Sequence, residues 1–174
     1  RDYGAAANFT LQTLKDNPND YDMLVRAETF LIADGRFPQA VELAQRTLKV
    51  SPGHPLSSLV LAIDAVRRND FAAAKTMIDG QALNGVNRVV IPLMSAWIEE
   101  ALNRPAAALN ALRPIAEING FRALYEYHAA LINDLANRGG DAEDHYKKSL
   151  EIEGGPPARL VEAAGNFYER AGGP

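Results

Sequence analysis

The stretch Gly35-Arg36-Phe37-Pro38-Gln39-Ala40 has the same pattern of residue types as Asn69-Asp70-Phe71-Ala72-Ala73-Ala74, which lies 34 residues further along the chain. Both stretches place an aromatic residue after a short turn and an alanine three residues later. The same position, followed in steps of 34 along the chain, is always alanine: Ala6, Ala40, Ala74, Ala108 and Ala142. A fixed period of this size indicates a repeat architecture, so the spacing predicts an array of similar units.

The residues between these positions favour helices. Apolar residues follow a helical period, and alternating strand patterns are weak. Asp20, Asp70 and Asp141 are placed to cap helix starts, and Gly35, Gly139 and Gly172 are placed where a chain leaving a helix needs a positive φ. Gly80 and Gly85 predict an early end to the fifth helix. The pattern predicts ten helices, at about 3–16, 21–34, 37–49, 56–69, 71–79, 88–103, 105–118, 121–137, 141–152 and 157–171.

This pattern resembles the tetratricopeptide repeat (TPR) family. A small residue opens the second helix of each repeat, and Pro18 and Pro52 close two repeats 34 residues apart. The first helices carry small residues where the family packs two helices closely (Ala62, Ala96, Ala130 and Ala164), although Glu28 takes that place in the first full repeat. The resemblance implies an all-α fold, a right-handed α-α superhelix (TPR solenoid) of about five 34-residue helical hairpins.

The register predicts one array over residues 1–174. Residues 1–20 form a second helix only, residues 21–54, 55–88, 89–122 and 123–156 form hairpins, and residues 157–174 form a first helix only. Apolar residues near the two ends lack a predicted neighbour: Phe9, Leu11, Leu14, Leu160, Val161, Phe167 and Tyr168. We therefore expect an internal piece of a longer repeat protein, with ends that could support a homodimer.

Several function classes are disfavoured by composition. The net charge is −4, with arginines scattered among carboxylates, which argues against a nucleic-acid partner. The longest apolar run, residues 89–94, is too short to span a membrane. The chain has no cysteine, and His54, His128 and His145 are interpreted as surface histidines because they form no metal-binding pattern. No nucleophile, base and orienting group converge, so we expect no enzyme activity, no cofactor and no metal.

The TPR resemblance implies a concave groove lined by the first helix of each hairpin, where partner peptides or helices bind. Trp97 is the strongest candidate for an interface hot spot, although apolar residues at helical spacing are also typical of a core. Lysine and asparagine, with which some family members bind chaperone carboxylates, are missing from the corresponding positions. The candidate groove residues are Leu59, Ile63, Leu93, Trp97, Glu100, Tyr127, Leu131 and Asp134.

The sequence therefore favours a protein–protein interaction scaffold or adaptor that binds a peptide or helix in an apolar groove. Bacterial proteins that resemble this one, with TPR hairpins rich in alanine, glycine and arginine, often work in the cell envelope. The resemblance therefore suggests a periplasmic or envelope location and a role in envelope assembly or integrity, while a cytoplasmic location stays open. Two other functions also stay open: the regulatory or targeting arm of a larger enzyme, and a self-association module.

Overall fold

The computed structural model describes residues 2–151 and 157–172. In those ranges the backbone forms ten α-helices and no strand, which confirms the all-α prediction. The helices are α1 Tyr3–Asp16, α2 Tyr21–Ala33, α3 Phe37–Val50, α4 Pro55–Arg67, α5 Phe71–Ile78, α6 Asn87–Ala101, α7 Pro105–Ala116, α8 Arg122–Leu135, α9 Gly139–Leu150 and α10 Ala158–Arg170.

Aspartate side chains cap three of the helix starts. Asp20 accepts a hydrogen bond from the Met23 amide at 3.0 Å, and Asp70 accepts one from the Ala73 amide at 3.1 Å, as expected. Asp2 does the same for α1, at 2.8 Å from the Ala5 amide. The expectation for Asp141 was wrong, because α9 begins two residues earlier, at Gly139. Asp141 instead lies in the first turn, where the helix dipole favours a negative charge.

The turns inside the hairpins share one backbone conformation. Four residues, each 34 after the last, have positive φ: Gly35 at 76°, Asn69 at 59°, Asn103 at 59° and Asn137 at 57°. At each turn two backbone amides bond back to the helix in the pattern of a Schellman motif. Gly172 also has a positive φ, but Gly139 does not, because Asn137 makes that turn.

The chain comprises two compact units, Arg1–Ala82 and Leu83–Pro174. Unit 1 contains α1 to α5, and its core joins Ala7, Leu24, Leu31, Leu43 and Val60 from the first four helices. Unit 2 contains α6 to α10. It has one core cluster around Leu112 and Ile132 and another around Tyr146 and Leu160.

The repeated alanines allow close helix packing. Ala40, Ala74, Ala108 and Ala142 are completely buried, as are the first-helix residues Ala62, Ala96 and Ala130. Ala6 is half-buried, and Ala164 is 3% exposed. These positions have no room for a larger side chain unless the paired helices move apart.

The apolar residues near the two ends differ in burial. Leu14, Leu160 and Phe167 are buried within their units, contrary to the expectation that they lack neighbours. Phe9 and Val161 remain largely exposed, at 72% and 51%.

Glu28, the exception among the small first-helix residues, is fully buried. Its Oε2 accepts a hydrogen bond from the Ser57 hydroxyl at 2.7 Å. Burial raises the pKa of the Glu28 carboxyl, and hydrogen bonds from Ser57 and Thr47 offset part of that rise. Polar neighbours on α3 and α4 therefore stabilise the carboxyl group in part, while its second oxygen, Oε1, is buried without a hydrogen bond.

Candidate functional site

Four large side chains form a strip on the first helices of the hairpins of unit 2. Leu93 and Trp97 lie four residues apart on α6, and Tyr127 and Leu131 lie four apart on α8, so each pair occupies one helix face. All four are half-buried. Leu93 packs against the core cluster around Leu112, while Tyr127 and Leu131 pack against the cluster around Tyr146. We call these four residues the α6–α8 strip.

Trp97 is held by His128, which the sequence pattern indicates as a surface histidine and does not connect with the groove. Its indole Nε1–H donates to His128 Nδ1 at 3.1 Å, and the two rings meet edge to face with centroids 5.8 Å apart. The Tyr127 ring lies 5.0 Å from the same imidazole. Burial lowers the pKa of the His128 imidazole, which favours the neutral form that can accept the bond. The bond satisfies the polar atom of Trp97 and restricts how its ring is oriented.

The two predicted acids of the groove differ in their partners. Asp134 on α8 forms an ion pair with Arg170 of α10 at 2.5 Å, so its charge is already balanced. Glu100 on α6 has one oxygen, Oε2, that is buried without a hydrogen bond. Burial raises the pKa of the Glu100 carboxyl, and the charge of Arg138 partly offsets the rise. Of these two acids, Glu100 is therefore the one with a buried carboxyl oxygen that accepts no hydrogen bond.

The other two candidate residues, Leu59 and Ile63, lie on α4 in unit 1. Leu59 is half-buried, and Ile63 is 41% exposed. Their four-residue spacing puts them on one face of α4, equivalent by 34-residue steps to Leu93 and Trp97 of α6. Unit 1 therefore carries a shorter apolar strip at the corresponding place in its own hairpin.

A cleft opens between α8 and α10 in unit 2. It has a volume of about 390 Å³ and an almost entirely apolar surface. Its described lining includes Phe121, Leu124, Tyr127, Ser149, Arg159 and Leu160. Tyr127 also belongs to the α6–α8 strip, whereas the α10 residues were not predicted as part of a site. The sequence gives no signal for a cleft whose two walls are separated by more than 30 residues.

The three histidines interpreted as surface residues keep part of their surface exposed but also contact neighbouring aromatic rings. All are half-buried, and each forms an edge-to-face ring contact: His54 with Tyr21, His128 with Trp97 and His145 with Tyr125. His145 Nδ1 also lies 2.6 Å from the buried carboxylate of Glu126, which Arg122 contacts from the other side. The histidines therefore connect neighbouring helices.

One polar cluster contains the residue types of a serine hydrolase but not their order. His54 Nδ1 lies 3.0 Å from the Ser57 hydroxyl, and that hydroxyl donates directly to Glu28. In a catalytic triad the acid orients the histidine, which takes the proton of an accessible serine. Here the acid takes the serine hydrogen bond, and Ser57 is completely buried. This cluster stabilises the packing of α2 against α4 and does not support catalysis.

Within residues 2–151 and 157–172, no three His, Cys, Asp or Glu side chains are grouped so that they could hold a metal ion. Over the same residues, no helix is both long enough and apolar enough to cross a membrane.

Comparison with known proteins identifies the architecture. No family model and no curated protein matches the sequence. Among solved structures, MamA 41-end from Desulfovibrio magneticus RS-1 is similar with a TM-score of 0.73 at 15% identity, covering 87% of this chain and 85% of that chain. The MamA RS-1 ArsTM double mutant is similar with a TM-score of 0.71 at 14% identity, covering 92% of this chain and 86% of that chain.

MamA is a TPR-containing protein, so this likeness agrees with the 34-residue period and the repeated turns. The chain has the fold of a TPR-type helical solenoid built from helical hairpins. At 14–15% identity the likeness concerns the fold alone.

Proposed function

We propose that this chain is a protein-interaction scaffold that binds a peptide or helix of a partner protein on the first helices of its hairpins. The observation that carries the proposal is the α6–α8 strip, in which Trp97 is fixed by His128 and still partly open to solvent. Large, rigid aromatic side chains with a satisfied polar atom are favoured as interface anchors, because little conformational entropy is lost when they bind.

An affinity capture from native cell extract tests this proposal. The parent chain is compared with Trp97→Ala and with Phe9→Ala, which removes an exposed aromatic residue in unit 1. We expect a set of proteins that the parent and Phe9→Ala retain and that Trp97→Ala loses while circular dichroism shows it still folded. Equal capture by all three chains would exclude the strip as the binding surface.

A purified partner allows a direct measurement. Trp97 is the only tryptophan in the sequence, so its fluorescence reports on the strip alone. Partner binding should shift the emission of the parent chain to shorter wavelength as water leaves the ring. An unchanged emission at saturating partner would place the contact elsewhere.

We also propose an envelope location, which is supported only by the resemblance of the alanine-rich hairpins to bacterial envelope TPR proteins. Fractionation of the native cells, followed by immunodetection of the chain, tests it. Recovery in the cytoplasmic fraction alone would contradict it.

A further inference from the structure

The cleft between α8 and α10 shares Tyr127 with the α6–α8 strip, but it differs from the strip in having an arginine, Arg159, in its lining. Leu124 and Tyr127 of α8 form one wall, and Leu160 of α10 forms the other. A volume of about 390 Å³ lies within the range of ligand-binding pockets. Moving a large apolar side chain from water into such a cleft is favourable, because its own surface and the exposed parts of the half-buried Leu124 and Tyr127 leave water, while Leu160 is already only 2% exposed.

The polar groups of the cleft determine which polar side chains of a partner can bind there. The Ser149 hydroxyl donates to the Ala123 carbonyl oxygen at 3.3 Å, so its hydrogen is already used. Arg159 is exposed and forms no ion pair with any residue that the structure describes. A guanidinium at the rim of an apolar cleft binds carboxylates well, because its planar array of donors matches the two carboxylate oxygens.

We propose that the α8–α10 cleft binds a partner segment that inserts a large apolar side chain between Leu124 and Leu160 and places an Asp or Glu side chain on Arg159. The inference rests on the proposed scaffold function and names the chemistry of the partner. The charge of the whole chain is −4, so general electrostatics disfavour an acidic partner. A preference for acidic residues must then come from a local site such as Arg159.

A random library of twelve-residue peptides, fused through their C-termini to a phage coat protein, tests the proposal on the full chain. The fusion removes free C-terminal carboxylates, so that only side-chain acids are selected. We expect the parent to select peptides with a large apolar residue close to an Asp or Glu. Replacing that acid by its amide in a synthetic copy should weaken binding about tenfold.

Three variants assign the binding to the cleft. Arg159→Gln should bind the acid and amide peptides equally. Ala123 of α8 also lines the cleft, so Ala123→Leu should lose both peptides because the new side chain fills the space. Arg113→Gln, an exposed arginine on α7, is the matched control and should behave as the parent. Circular dichroism of each variant verifies the fold.

The results for these variants distinguish a failure of the cleft proposal from a failure of the proposed scaffold function. Selected peptides that bind Arg159→Gln and Ala123→Leu as they bind the parent, but fail to bind Trp97→Ala, would overturn the cleft and support the strip. A library that yields no specific peptide on the parent would also overturn the cleft proposal, and the capture experiment would still decide on the scaffold function.

Discussion

Because Trp97 donates a hydrogen bond to His128, the environment of Trp97 in the candidate site depends on whether the His128 imidazole is protonated. Nδ1 accepts the indole N–H only when it carries no proton. Because burial lowers the pKa of His128 below its usual value of 6.5, the unfolded chain binds the proton more readily than the folded chain. The contribution of His128 to stability is therefore complete above pH 6.5 and is lost as the pH falls through the folded pKa.

We expect the fluorescence of Trp97 to change with a midpoint below pH 6.5, because protonation of His128 removes the acceptor. A pH titration of the intrinsic fluorescence measures this directly, since the chain has no other tryptophan. In His128→Gln the transition should be absent. The same midpoint in that variant would show that another group controls the signal.

Ala108 is a residue whose small size is required by packing. It is completely buried on α7 and belongs to the core cluster that contains Leu112 and Ile132. Ala108→Leu should lower the free energy of unfolding by about 1–3 kcal/mol, because the added atoms have no space. Ala106→Leu, at an exposed position of the same helix, should change it by less than about 0.5 kcal/mol.

Urea unfolding followed by Trp97 fluorescence measures both variants within unit 2. Equal stability of the two leucine variants would count against the packing of position 108 at a helix contact, which the 34-residue register predicts and the burial of Ala108 shows.

At the scale of the secondary-structure element, the turn inside each hairpin requires a residue that can adopt a positive φ. Asn103 has a φ of 59° between α6 and α7, where glycine and asparagine are tolerated and β-branched residues are strained. Asn103→Val should therefore destabilise unit 2 by about 1–2 kcal/mol. Asn103→Gly should be close to neutral, because glycine occupies the equivalent position 35.

Urea unfolding measures these variants too, with Asn110→Val as the control. Asn110 is exposed within α7, where asparagine and valine have similar helix propensities. If Asn103→Val and Asn110→Val were equally stable, backbone strain could not explain the asparagine at the turn.

Helix positions could be predicted because they depend on neighbours near in sequence. The caps at Asp20 and Asp70 follow from local spacing, and the structure confirms both. The buried alanines at 40, 74, 108 and 142 follow instead from the repeat period, which needs no knowledge of contacts. The partner of Trp97 could not be predicted, because His128 lies 31 residues away on another hairpin. Ser57 likewise lies 29 residues from Glu28. A period shows which positions are equivalent, but not which polar atoms meet across helices.

On the scale of the whole molecule, the segment that joins α5 to α6 connects two units with separate cores. Gly80 and Gly85 predicted the early end of α5, and the helix stops at Ile78. Residues 79–86 then form no helix, and Leu83 and Val86 are exposed at 50% and 73%. An exposed segment outside the helices is a preferred site of proteolytic cleavage.

Limited chymotrypsin treatment should therefore cut first after Leu83, since this enzyme prefers large apolar residues and needs several residues of extended backbone. The products should be two fragments of similar size that resist further digestion, because Leu24 and Leu31 remain buried in unit 1 as Leu112 and Tyr146 do in unit 2. Mass spectrometry of the fragments identifies the site. Leu83→Pro, which blocks cleavage after residue 83, is the control and should slow the first cut. Rapid loss of either fragment after that cut would show that its unit depends on the other for stability, and that the separate cores are not enough to keep each unit folded.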